Sequence, residues 1–291
     1  MSAIYKKDNR TRFWVAIYDD QFGGRNVYVA DCLKEWFSLR FPQLMRCSRA
    51  RWEESSKGKA YLHIGSDRLN QIDWDNLNDS LSFAGCNCFW PKIPGTEIGD
   101  KSLSYCVVGD YTQCPDDQNR QTSLGRAFHA AKYESLDLNV ANQYITILTQ
   151  SIYRMMSIFE GCYDPKRAVV MPIPVARACK DANLGYQIAL QVARMANLQF
   201  MEVILDCNKP QFKGLRLDEK LVAWEEIYDK KMSAAQFPIN SFDVFIVDDL
   251  YQSGTTMWAF ARYLKNLGAR QVFGLACVKS LRDSDNVGDW V

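Results

Sequence analysis

Only two histidines, His63 and His129, occur in the 291 residues, so neither a histidine-rich metal site nor a Ser-His-Asp triad is expected. Charge of one sign is also missing. Lys plus Arg number 35 against 34 Asp plus Glu, a formal net charge of +1, and no bulk field argues for nucleic acid or a membrane surface. No apolar run approaches the ~18 residues that cross a bilayer. The opening residues Met1 to Arg10 lack the apolar core of a signal peptide, which makes the cytoplasm the expected location. Ten cysteines are present, but no Cys-x-x-Cys pair, and structural zinc ordinarily draws on two such pairs. A metal site would have to come from Cys86, Cys88, Cys106 and Cys114; otherwise the cysteines read as mostly reduced and buried.

What is present describes an ordinary globular chain, with 47% hydrophobic and 24% charged residues. Its texture changes near residue 120. Before that point, aromatic-rich apolar runs (Phe13 to Tyr18, Val27 to Val29, Tyr61 to Ile64) alternate with loops, and tryptophans stand at 14, 36, 52, 74 and 90. This is expected to be a mixed α/β region with its own core, including a helix over Ala30 to Phe41 and a turn-rich stretch from Gly85 to Asp100. Cys114 to Thr122 is polar and unpatterned and is the linker candidate, giving domains over 1–115 and 116–291. From Ser123 onward strands and helices alternate. Tyr144 to Phe159 carries apolar residues at helical spacing, Ala168 to Met171 is a short strand, Leu184 to Met195 a helix, Glu202 to Leu205 a strand, Met257 to Leu267 a helix and Val272 to Val278 a strand. That alternation predicts an α/β fold, a parallel sheet flanked by helices.

Within it, Phe242 to Thr256 reads Phe-Asp-Val-Phe-Ile-Val-Asp-Asp-Leu-Tyr-Gln-Ser-Gly-Thr-Thr. An apolar strand delivers two carboxylates, Asp248 and Asp249, at its carboxyl end, where ligands of open α/β sheets bind. Gln252, Ser253, Gly254, Thr255 and Thr256 follow, offering amides, hydroxyls and a close-approach glycine just before a helix N-terminus. The pattern suits a sugar phosphate.

The same stretch resembles the phosphoribosyl-diphosphate (PRPP) signature of type I phosphoribosyltransferases. Three other stretches are similar to the ComF competence-protein branch of that superfamily: Leu124 to Tyr133, Met171-Pro-Ile-Pro-Val-Ala-Arg177, and Lys209 to Leu215 with Asp218-Glu-Lys220. The resemblance spans about 123–282. It departs from the branch in lacking the N-terminal cysteine zinc ribbon, in having Asn183 to Gln187 as the only counterpart of an Arg-Gly-Phe-Asn-Gln stretch, and in placing Ala223 where an asparagine is expected.

The resemblance implies that Asp248 and Asp249 face the ribose hydroxyls and help place Mg²⁺, while Leu250, Tyr251, Gln252, Ser253, Gly254, Thr255 and Thr256 wrap the 5-phosphate. Pro172, Ile173, Pro174, Val175, Ala176 and Arg177 form the pyrophosphate loop, with the amides of Ile173 to Arg177 and the Arg177 guanidinium facing the leaving group. Lys213 closes over it. The implied activity is phosphoribosyl transfer to a nitrogenous acceptor, whose hood would be Leu281 to Val291 or the N-terminal region. Two alternatives stand beside it: a non-catalytic PRPP or nucleotide sensor, and a DNA-uptake accessory binding single strands through Lys209, Lys213, Arg216 and Lys220. A homodimer is compatible with all three.

Overall fold

The computed structural model describes residues 2–48, 51–55, 59–134, 137–206, 214–230 and 239–281. It divides into two compact units, Met1–Lys92 with Met156–Cys162, and Ile93–Met155 with Tyr163–Val291.

Alternating apolar residues build the first unit's sheet. Its strands are β1 (Ala3–Tyr5), β2 (Val15–Asp19), β3 (Arg25–Val29), β4 (Glu53–Glu54) and β5 (Ala60–Ile64), antiparallel in the order β1-β2-β3-β5-β4. Val27, Val29, Leu62 and Ile64 point inward, while Tyr18, Tyr28 and Tyr61 form a cross-strand row on the other face, with ring centroids 5.8 and 5.2 Å apart. Three helices, α1 (Lys34–Arg40), α2 (Pro42–Cys47) and α3 (Trp74–Ser82), complete it. The single helix expected over 30–41 instead starts at Lys34 after a 3₁₀ turn, and stops at Phe41 because Pro42 disfavours helical backbone before it. Trp36 and Trp90, both buried, tie the core together. Their indole N–H groups donate to the carbonyls of Ile158 and Ala84 at 2.9 and 2.8 Å.

The second unit holds the parallel sheet. Its strands β6 (Tyr105–Tyr111), β9 (Ala168–Pro172), β11 (Gln199–Phe200), β13 (Asp243–Tyr251) and β14 (Gln271–Lys279) lie in the order β11-β9-β13-β14-β6, every pair parallel. All of β9 and the first five residues of β13 are buried, as a sheet covered on both faces requires. Two short additions accompany it: a hairpin of β7 (Gln113–Cys114) and β8 (Asp117–Gln121), and a parallel pair of β10 (Val175–Ala176) with β12 (Ile204–Leu205). The helices are α4 (Ser123–Tyr133), α5 (Leu138–Met156), α6 (Leu184–Ala196), α7 (Leu217–Lys230) and α8 (Thr255–Asn266).

Two expectations are corrected here. The 114–122 stretch is a hairpin rather than a linker, and β6 pairs with β14. The two compact units divide at Lys92 and Ile93, and the expected 115/116 border falls in the turn of that hairpin. The strand expected over 202–205 forms only at Ile204–Leu205, which pairs with β10, while the strand that joins the main sheet, Gln199–Phe200, lies before the expected range.

Topology selects the position of a ligand. From β9 the chain passes through α6 to β11 on one side, and from β13 through α8 to β14 on the other. Right-handed crossovers running in opposite directions put α6 and α8 on opposite faces. A crevice therefore opens between the carboxyl ends of β9 and β13, the topological switch point where open α/β sheets bind ligands. The amino end of β13 is pinned by Asp243, fully buried, which accepts from the Asp164 amide at 2.8 Å and from the Arg270 guanidinium.

Candidate functional site

Asp248 and Asp249 lie one and two residues beyond Val247, which pairs with Pro172 across the crevice. Neighbouring strand residues point to opposite faces, so the two carboxylates have different surroundings. Asp248 is half-buried, and its Oδ1 accepts the Asp249 backbone N–H at 2.9 Å. Gly185, in the first turn of α6, packs so close that a Cβ there would lie 3.3 Å from the Asp249 nitrogen and 3.4 Å from Asp248 Oδ1. Asp249 is buried and meets a cation: Lys132 Nζ lies 2.6 Å from its Oδ2.

Lys132 is the residue that site reasoning from sequence missed. It sits in the last turn of α4, a helix capped by the Thr122 hydroxyl on the Gly125 amide and packed on β6 and β14. A lysine–tyrosine pair inside the Leu124 to Tyr133 stretch was the available signal, but nothing local says that it reaches a residue 117 positions away. Burial works against the ammonium's charge, and the Asp249 carboxylate outweighs it, so Lys132 titrates above the ordinary lysine range.

The turn after the carboxylates is shorter than expected. Leu250 and Tyr251 belong to β13, paired with Val278 and Lys279. Tyr251 is buried, and a Cβ on Gly254 would overlap its hydroxyl. Tyr251 thus supports the turn from beneath. Gln252 is exposed, Ser253 half-buried, and Gly254 takes φ +77, a left-handed conformation that lets α8 begin at once with Thr255 and Thr256. Ser253 Oγ and Thr255 Oγ1 lie 3.0 Å apart. The N-terminus of α8 is accordingly ringed by hydroxyls, an arrangement that favours an anion.

The opposite wall offers fewer donors than expected. The Ile173 amide donates to the Val247 carbonyl at 3.1 Å, extending the β9–β13 ladder, and Pro172 and Pro174 carry no N–H. Ile173, Pro172 and Pro174 are buried shape, and Val175 and Ala176 are half-buried in β10. Arg177 projects outward, its side chain 74% exposed and 3.9 Å from Asp206. Behind it Glu202 joins Lys180 at 2.8 Å and accepts from the Tyr186 hydroxyl. Lys213 and Lys209, with most of Leu281 to Val291, lie outside the described residues.

Cys106 and Cys277 are fully buried, and burial first, then the nearby aspartates, raise both well above the ordinary thiol range. Among the described residues no group of three or more His, Cys, Asp or Glu side chains could hold a metal ion. Mg²⁺ asks for less than that when a substrate supplies phosphate oxygens, one or two carboxylates sufficing. The donor set at the end of β13 fits this limited role.

No family model matches the chain, and no curated protein matches it. Among solved structures, a purine phosphoribosyltransferase from Pyrococcus horikoshii OT3 aligns at 13% identity over 51% of this chain and 86% of its own, with a TM-score of 0.29. An adenine phosphoribosyltransferase from Thermoanaerobacter pseudethanolicus aligns at 15% identity over 47% of this chain and 81% of its own, with a TM-score of 0.30.

Proposed function

We propose that the second unit binds PRPP at the β9–β13 switch point and transfers its phosphoribosyl group to a nitrogenous acceptor, releasing pyrophosphate. One observation carries the reading: two strand-end aspartates and a hydroxyl-ringed helix N-terminus share a switch-point crevice with the Pro172 to Arg177 segment. The amides and hydroxyls of Ser253 to Thr256 would hold the 5-phosphate, with Gln252 at the rim. Asp248 and Asp249 would accept from the ribose hydroxyls, fixing the ring while the anomeric carbon acquires oxocarbenium character. Asp248 and the ligand's own oxygens would hold Mg²⁺, which supplies charge neutralisation for the leaving pyrophosphate. Val175 to Arg177 would face that pyrophosphate. The order of the four ComF-like stretches along the chain supports placing it in that branch.

A second reading, a binding module without turnover, gains support from the donor-poor wall. With the Ile173 amide used in the sheet and two prolines beside it, less is available to stabilise a departing pyrophosphate. Pyrophosphate release separates the two. A transferase liberates it from PRPP and Mg²⁺ with at least one member of a panel of nucleobases and amines, and Asp249→Ala abolishes the signal. Saturable PRPP binding with no release from any acceptor would leave the sensor reading standing, and no binding would remove both. The single-strand DNA reading predicts steeply salt-dependent affinity; no binding at low salt ends it.

A further inference from the structure

Tyr133 ends α4 away from the face that the helix buries. That face carries Gly125, Ala127, Phe128 and Ala130, whereas Tyr133 falls at helical spacing from Arg126 and His129, on the polar side. Its residue surface is 62% exposed. A lone exposed tyrosine is ordinary, but this one is held in place and stands beside the crevice. Glu134, the next residue, pairs with the Arg126 guanidinium at 2.8 Å and lies 3.3 Å from His129 Nδ1, closing the end of the helix back on itself. The Tyr133 ring packs T-shaped against Phe128 at 5.9 Å and lies 5.4 Å from the His129 ring. A ligand that met its exposed surface would therefore have little side-chain freedom to remove.

Lys132, the preceding residue, fixes where the ring stands. Its ammonium is 6.0 Å from the Tyr133 ring centroid and 2.6 Å from Asp249 Oδ2. An exposed aromatic ring thus flanks the end of β13, where the PRPP reading puts a ribose. The anomeric carbon of a ribose adjoins the carbon that bears the 2-hydroxyl, so a base attached to it lies close to whatever holds that hydroxyl. We infer that Tyr133 forms the acceptor side of the crevice and that the acceptor is an aromatic nitrogen heterocycle of nucleobase type, stacked on its ring. The inference rests on the PRPP reading and narrows its acceptor from any nitrogenous group to a planar aromatic one. The contact comes from α4 rather than from Leu281 to Val291 or the N-terminal region. Every base has a π-face, so Tyr133 sets the class of acceptor and leaves the choice among bases to other groups.

Transfer to such a heterocycle yields a nucleoside 5′-monophosphate, and ribose 5-phosphate is the same molecule without the base. In calorimetric titrations of the full-length protein with Mg²⁺, at least one of AMP, GMP, UMP and CMP should bind wild type about tenfold more tightly than ribose 5-phosphate. Tyr133→Ala should bring that nucleotide down to the affinity of ribose 5-phosphate and leave ribose 5-phosphate unchanged, which also shows that the variant is folded. Tyr133→Phe keeps the ring and should behave as wild type. Wild type that holds PRPP but gains nothing from a base would overturn this inference alone and point to a non-aromatic acceptor. Tyr133→Ala that keeps the gain, or that weakens ribose 5-phosphate equally, would also overturn it. Wild type that binds neither PRPP nor ribose 5-phosphate would remove the PRPP reading and this inference with it.

Discussion

Gly254 carries two constraints at once, a left-handed φ of +77 and the Tyr251 hydroxyl where a Cβ would be. Gly254→Ala should therefore lower stability by about 1–3 kcal/mol and weaken PRPP binding together, read by thermal melting and calorimetry; an unchanged melting temperature would contradict the turn geometry. Asp243 is the other residue with a sharp expectation. Removing a fully buried carboxylate that serves the Asp164 amide and the Arg270 guanidinium should cost about 2–4 kcal/mol in urea unfolding. Asp243→Ala with wild-type stability would mean the pair holds nothing. Lys132 adds a pH signature. Its folded value lies above the ordinary 10.5, so its contribution is complete below 10.5 and is lost as pH rises through the folded value. Wild type should lose stability faster than Lys132→Met above that point.

At the scale of elements, Glu202 joins the segment after β11 to the loop before α6 through Lys180 and to α6 itself through Tyr186. Burial works to raise its carboxyl, but the hydrogen bonds from Lys180 and Tyr186 outweigh it, and the group sits below its ordinary 4.5. Stability from this contact is present above 4.5 and fades as pH falls through the lowered value. Glu202→Gln should be less stable than wild type at neutral pH, with the gap closing below pH 4.5 in urea unfolding; a constant gap would contradict the ionised contact. The elements most legible in the sequence are those with long periodic or wholly apolar runs: α5, β9, β13, α8 and β14. Their hydrophobic pattern states their burial directly. Less legible were the two-residue strands β10, β11 and β12, too short to show a period, and the β7–β8 hairpin, whose exposed polar residues carry no alternation. The site divides along the same line. The carboxylates and the turn are contiguous and could be read as one string, whereas the Lys132–Asp249 pair and the Ile173 amide's engagement with Val247 are properties of tertiary contact.

On the scale of the whole molecule, the chain returns to its first unit after leaving it. Residues 156–162 belong with Met1–Lys92, where Phe159 is fully buried and lies 6.0 Å from Trp90, and Ile158 accepts from Trp36. A variant beginning at Ile93 would leave Ile158 and Phe159 without those partners, and such exposed apolar surface promotes association. It should aggregate or melt well below the full chain, and a monomer of native stability would contradict this assignment of 156–162. PRPP binding in the β9–β13 crevice is the proposal that the rest of the functional reading depends on. Calorimetric titration of PRPP with Mg²⁺ into wild type and into Asp248→Ala/Asp249→Ala protein tests it. Saturable heat in wild type and none in the double variant is the predicted result; no heat in wild type, or equal heat in both, would contradict it.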